Sequence, residues 1–201
     1  MNIGIYGGTF DPVHLGHLIV AEEARIKLNL EKVLFVPAGM PWMKARQRNV
    51  TEAAHRIAMV RLAIAGNPCF ELSTIDVEQP GLSYSVQTVV SLREKLGADV
   101  KVYFILGCDS LNQIDQWKEP GKLISMCYMV AAPRPGCRPP DLKRLEPLVP
   151  GVTYRTVYLE MDPIGISSSE IRRRAAEGIS IRYFVPPDVE CYIRDNGLYR
   201  P

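Results

Sequence analysis

His14 and His17 stand three residues apart, just after a short apolar run that ends in Gly7-Gly8. At that spacing two helical side chains share a face. The first turn of a helix also presents unpaired N–H groups and the positive end of the dipole, an environment that attracts anions. Two glycines let a phosphate approach the main chain closely, Thr9 adds a hydroxyl, and Gly16 removes a side chain that would block access. Paired imidazoles there can donate hydrogen bonds to phosphate oxygens as charge builds in a transition state. One isolated histidine is more often a cap or surface residue. A metal pair is disfavoured because no third ligand stands at a recognisable zinc spacing. The turn is not GxGxxG, which argues against hydride-transfer dinucleotide binding. Asp11-Pro12 tightens the turn, and a structural role is expected for Asp11 ahead of a contact to water or ligand.

A second phosphate element is expected at Ile166-Ser167-Ser168-Ser169-Glu170-Ile171-Arg172. Hydroxyls at a helix start beside a guanidinium suit phosphate oxygens. Ser167 to Glu170 alone would be an ordinary capping box. Consecutive helical residues point about 100° apart, so Arg172, Arg173 and Arg174 cannot all serve one site.

These segments must be positioned by a scaffold, and its pattern is short β-rich runs alternating with helical ones, the sign of βαβ units and a parallel sheet. Strands are expected at Asn2–Tyr6, Val33–Val36, Lys101–Leu106, Cys127–Ala132 and Arg155–Leu159. Helices are expected from Leu15 to Leu28, over Thr51–Ala65 with Thr51 as cap, from a Ser83 cap to Leu96, over Ser167–Glu177 and over Asp188–Asp195. The proline-rich, basic stretch Pro133–Pro150 reads as a loop with one short helix at Leu142–Leu148. The predicted class is α/β: a Rossmann-like, doubly wound, mainly parallel sheet with helices on both faces. No linker divides the 201 residues, so a single domain spanning 1–201 is expected.

A formal net charge of +2 argues against a dedicated nucleic-acid binder. No apolar run approaches the ~20 residues of a membrane helix, and no signal peptide is evident. Five scattered cysteines without a CxxC pair favour reduced thiols and a cytoplasmic setting. Oligomeric state is left open.

GGTFDPVHLGH resembles the nucleotidyltransferase superfamily marked by an HxGH motif after its first strand, and ISSSEIR is similar to that superfamily's ISSTxIR. The resemblance implies ATP contacts from Gly7, Gly8, Thr9, Phe10, Gly16, Ile166, Ser167 and Ser168, with His14, His17 and Arg172 as the catalytic set. Further stretches covering almost the whole chain resemble nicotinate-mononucleotide adenylyltransferase. Ser83-Tyr84-Ser85 with Thr88 is similar to its SYTxxT, where main-chain amides receive the nicotinate carboxylate. Gly107-Cys108-Asp109-Ser110 is similar to GxDS, which implies ribose contacts from Asp109 and close approach at Gly107. Trp117 corresponds to a tryptophan that stacks on the pyridine ring, and Arg134-Pro135-Gly136 to an RxG whose arginine touches a phosphate or lines the entrance. In Pro37–Lys44, Lys44 matches the family's PxxxPPHK loop as an acceptor contact, whereas Trp42 and Met43 replace proline and histidine, so that histidine's role has no counterpart. The tail Tyr183–Tyr199 resembles the family's ending and offers no chemistry.

The implied reaction joins ATP to a pyridine mononucleotide. The acceptor's phosphate is already an anion, so no Ser, Cys or carboxylate nucleophile is needed, and catalysis rests on alignment and charge neutralisation. Mg²⁺ is expected on substrate phosphates and water, with no metal ligand assigned to the chain. Nicotinamide mononucleotide and phosphopantetheine are the alternative acceptors. The pantetheine-phosphate family is shorter and fits SYSVQT, GCDS and Trp117 poorly. A non-catalytic nucleotide-binding domain would not require His14, His17 and Arg172 together.

Overall fold

In the computed structural model, which describes residues 1–41, 50–97 and 99–200, the strands read from the sequence run side by side in one parallel sheet. The chain order is β1 (Asn2–Gly8), α1 (Leu15–Lys27), β2 (Lys32–Pro37), β3 (Met40–Pro41), α2 (Ala53–Ile64), β4 (Phe70–Leu72), α3 (Ile75–Glu78), β5 (Leu82–Ser83) and α4 (Ser85–Leu96). It continues with β6 (Lys101–Gly107), α5 (Cys108–Leu111), α6 (Pro120–Met126), β7 (Tyr128–Ala132), α7 (Leu142–Leu145), α8 (Val152–Arg155), β8 (Thr156–Tyr158), α9 (Ser168–Ala176) and α10 (Pro187–Asp195). The main sheet has the order β4-β2-β1-β6-β7-β8, and β3 pairs separately with β5.

Every pairing in the main sheet is parallel. Parallel strands need crossovers, and the crossover helices cover both faces. Alternate residues therefore enter two different cores. Ile3, Ile5, Val102, Phe104 and Leu106 pack with Val86, Val89 and Leu92 of α4 and Leu123 of α6. Tyr6, Val33, Phe35, Ile105 and Val130 face the other way, against Val20, Ala21 and Ala24 of α1, Val60 of α2 and Val189 of α10. The spacings within α1 and α4 place those apolar residues on one helical stripe each.

Strand order reverses between β1 and β6, and ligands of open α/β sheets sit at such a point, beyond the carboxyl ends of the strands. Here those ends are Gly7-Gly8 and Gly107, on adjacent strands.

The structure departs from the sequence pattern at several element ends. The helix expected over Thr51–Ala65 begins at Ala53 behind Glu52, and Thr51 instead donates its main-chain N–H to Oδ2 of Asp11 at 3.4 Å. Tyr84, not Ser83, is the N-cap of α4, because Ser83 is held in β5 and its Oγ accepts from Gly39 N at 2.9 Å. The strand expected from Cys127 begins at Tyr128, since Cys127 closes α6 with its N–H on the Leu123 carbonyl. The short β3, β4 and β5 were not anticipated. Among the described residues, no helix is long and apolar enough to cross a membrane.

Candidate active site

A cavity of about 730 Å³ opens at the reversal point. Its floor is the turn after β1. Phe10 adopts φ 50°, a left-handed conformation rare for a side chain of this size, and its ring folds back so that a Cβ at Gly8 would lie 2.9 Å from it. The Phe10 ring is fully buried and meets His17 edge-on at 5.0 Å, while Tyr6 meets the same imidazole at 5.8 Å. Two aromatic edges thus fix the plane of His17. The peptide between Asp11 and Pro12 is cis.

His14 is the N-cap of α1, and His17 is its third residue. Their rings stack with centroids 3.6 Å apart. The His14 main-chain N–H donates to Nδ1 of His17 at 3.2 Å. A nitrogen that accepts carries no proton, so neutral His17 holds its hydrogen on Nε2, which serves as a donor. Burial, reinforced by the Arg134 guanidinium, lowers His14 to about 3, so it is a neutral imidazole near pH 7. Its Nδ1 is buried, faces the His17 main-chain N–H across the capping turn, and meets no well-aligned hydrogen-bond partner among the described residues. A Cβ at Gly16 would stand 3.1 Å from that nitrogen.

Across the cavity stands the first turn of α9. Ser167 caps it, with Oγ accepting from Glu170 N at 3.3 Å. The Ser168 hydroxyl donates to the Pro12 carbonyl at 2.9 Å, so it ties α9 to the β1 turn, and the amides of this first turn are the groups suited to phosphate. Arg172 lines the cavity and donates from Nη1 to the Asp11 carbonyl at 2.6 Å. Arg173 instead pairs with Glu170 and Glu177, and Arg174 lies over the Phe184 ring at 4.8 Å. Asp11 also lines the cavity; it is buried and its Oδ1 accepts from the Tyr199 hydroxyl at 2.8 Å. The tail therefore buttresses the phosphate turn.

At the other end of the cavity stand Ser83 of β5 and Ser85 and Thr88 at the start of α4, with Trp117 and Phe104 facing edge to plane at 6.3 Å. The indole N–H of Trp117 is buried and has no hydrogen-bond partner among the described residues. Arg134 lies 3.3 Å from Asp109 in an exposed ion pair, and a Cβ at Gly107 would strike both, at 2.7 Å from Arg134 Nε and 2.3 Å from Asp109 Oδ1.

The fold thus brings to one cavity Gly7, Gly8, Thr9, Phe10, His14, Gly16, His17, Ser85, Gly107, Trp117, Arg134, Ile166, Ser167, Ser168 and Arg172. Asp109 does not line it directly and sits beside it through Arg134. Tyr84 does not line it either: its ring packs on the core with the Lys118 ammonium 4.5 Å above it. Lys44, with Trp42 and Met43, lies outside the described residues.

Asp76 was not anticipated. It lines the cavity, is buried, and accepts from the Thr88 hydroxyl at 2.6 Å. Burial raises it to about 6, the Thr88 bond opposing part of the shift. The only hint in the sequence was an acid flanked by Ile75 and Val77.

The cytidylyltransferase-like family model matches residues 5–174. A probable nicotinate-nucleotide adenylyltransferase of Thermomicrobium roseum is 45% identical over 98% of this chain and 91% of its own. One of Moorella thermoacetica is 43% identical over 99% of this chain and 92% of its own. Among solved structures, Plasmodium falciparum nicotinic acid mononucleotide adenylyltransferase complexed with NaAD superposes with a TM-score of 0.78, covering 98% of this chain and 97% of that one. At 22% identity that likeness speaks for the fold.

Proposed function

The chain belongs to the cytidylyltransferase-like family and, within it, to the nicotinate-nucleotide adenylyltransferases, and from that premise we propose how its residues transfer the adenylyl group of ATP to nicotinate mononucleotide. The products are deamido-NAD and pyrophosphate, a step of NAD biosynthesis.

The observation that carries the mechanism is the pairing of His14 and His17 with Ser167–Arg172 across one cavity. An oxygen of the mononucleotide phosphate attacks the α-phosphorus of ATP, the new P–O–P bond forms, and the bond to pyrophosphate breaks. No proton need leave the nucleophile. His17, its ring fixed by Phe10 and Tyr6, donates from Nε2 to phosphate oxygens as they gain charge. His14, held neutral, offers a hydrogen bond without adding a cation. The α9 amides and Arg172 receive the departing phosphates. Gly7, Gly8, Thr9, Phe10 and Gly16 form the bed on which ATP lies, with Gly107, Asp109 and Ile166 beside its nucleoside. Ser85, Trp117, Arg134 and Lys44 serve the acceptor, and the start of α4 favours the carboxylate of nicotinate over the amide of nicotinamide through its N–H groups.

Among the described residues, no group of three or more His, Cys, Asp and Glu side chains could hold a metal. Asp11 and Asp76 are engaged by Tyr199 and Thr88, and Asp109 by Arg134. That donor set suits Mg²⁺ entering as MgATP, carried by phosphate oxygens and water. When bound it neutralises phosphate charge. One nucleotidyltransferase domain holds both ends of the cavity, and five free thiols suit a cytoplasmic setting.

The test is pyrophosphate release from ATP and Mg²⁺ with each acceptor supplied separately. Nicotinate mononucleotide should turn over fastest. Turnover with phosphopantetheine and neither pyridine nucleotide would overturn the assignment.

A further inference from the structure

We propose that Arg56 is a positioning residue that locks the ATP-side turn and the acceptor-side loop into one geometry. This rests on the reading above that both substrates share the cavity.

Arg56 lies on α2 and is among the largest fully buried side chains. Its Nε donates to the Thr51 carbonyl at 2.8 Å. Nη1 donates to the carbonyls of Thr9 at 2.9 Å and Ala38 at 2.7 Å. Nη2 donates to the Gly39 carbonyl at 3.0 Å. One planar fork therefore joins the turn after β1, the exit of β2 and the entry to α2. Lysine, a point donor, could not reproduce that geometry.

Each of these carbonyls belongs to a rigid peptide whose N–H points the opposite way. Anchoring the Thr9 carbonyl sets the amide of Phe10, in the turn that floors the ATP side. Anchoring the Ala38 carbonyl sets the amide of Gly39, which donates to Ser83 Oγ at 2.9 Å. Ser83 immediately precedes Tyr84, the cap of α4, so this bond fixes where the acceptor end of the cavity stands. Gly39 has no latitude on its other side, because a Cβ there would lie 2.4 Å from the Asp76 carbonyl. Hydrogen bonding to a cation also polarises both peptides and strengthens their N–H groups as donors.

Burying a guanidinium, which cannot shed its proton, is costly, and well-packed apolar residues often serve stability as well or better. Four directed bonds to loops on both sides of a substrate cavity suit geometry better than stability.

Arg56→Lys and Arg56→Ala test the idea. Folding is checked by thermal melting, and KM and kcat are measured for ATP and nicotinate mononucleotide separately. Arg56→Lys should stay folded and raise KM for both substrates, with kcat/KM down at least tenfold for each. Arg56→Ala should regain turnover with millimolar guanidinium, which fills the vacated fork, and not with the same concentration of ammonium. A folded Arg56→Lys with both KM values unchanged, or with only one altered, would overturn the proposal. If Arg56→Ala does not fold, the lysine variant still decides. If the wild-type chain turns over neither pyridine nucleotide, the assigned reaction fails instead. Paired dissociation constants of the Arg56→Lys variant for a non-hydrolysable ATP analogue and for the mononucleotide then test Arg56 alone, with weakening of both expected and an unchanged value for either one overturning it.

Discussion

Arg172 donates from Nη1 to the main-chain oxygen of Asp11 at 2.6 Å, joining positions 161 residues apart. The adjacent Pro12 carbonyl accepts from Ser168 at 2.9 Å, and the Asp11 carboxylate accepts from Tyr199 at 2.8 Å. The histidine turn and the α9 element are therefore one assembly, held together by the chain's own hydrogen bonds. Preorganised donors of this kind cost no rearrangement when charge develops.

Arg172→Lys keeps the charge and loses the planar fork. It cannot hold the Asp11 carbonyl and a phosphate in the same geometry. We expect kcat/KM for ATP to fall about tenfold or more, as for loss of ~1.4 kcal/mol of transition-state binding, with little change in melting temperature. Steady-state pyrophosphate release across ATP concentrations checks this, and a wild-type value would remove the fork from the mechanism.

His17→Ala removes a donor whose ring is fixed by Phe10 and Tyr6 and whose Nδ1 is engaged by the His14 N–H. Loss of one such donor typically costs about 10²–10³ in kcat. His17 is half-buried, so the variant should fold and still bind ATP. Near-wild-type kcat in a folded variant would exclude His17 from the chemistry.

Local segments of the chain carry their pattern openly, and the fold brings two of them to one cavity. Gly7 and Gly8 end β1 and His14 and His17 open α1 a few residues later, while Ser167 to Arg172 open α9, so residue type and spacing make both segments legible. The buried strands β1 and β6 were legible because their apolar runs are continuous. Arg56 was not legible, since one arginine in a helix looks like any solvated charge until tertiary packing closes over it. Asp76 and Ser83 take their roles from Thr88 and Gly39, 12 and 44 residues away. The three residues of β4 are too few to carry a period, and Tyr199 gains its meaning from Asp11 at the opposite end of the chain.

Tyr199→Phe deletes the hydroxyl that donates to buried Asp11 Oδ1. Leaving a buried acceptor without that donor costs about 1–3 kcal/mol. For a chain of this size each kcal/mol lowers Tm by about 2–4 °C. We expect a drop of several degrees and an activity loss much smaller than that of His17→Ala. An unchanged melting temperature would show that the tail does not brace the turn.

Asp76 and His14 give stability profiles of opposite sign. Burial lowers His14 to about 3 from 6.5, so its contribution is present above the unfolded value and is lost as pH falls through this range. Burial raises Asp76 to about 6 from 3.8, so the folded chain holds that proton more tightly than the unfolded one. Its contribution is complete below about pH 4 and declines as pH rises through 6. A shift of about two units corresponds to ~3 kcal/mol at most. Asp76→Asn cannot ionise, and its amide oxygen can still accept from Thr88. Relative to wild type, the variant should therefore gain stability between pH 4 and pH 6 and show a constant difference above about pH 7. Urea unfolding at half-unit pH steps measures that difference directly. A flat difference across the whole range would mean that the carboxyl ionises without cost, and that Thr88 or a solvent path compensates its burial.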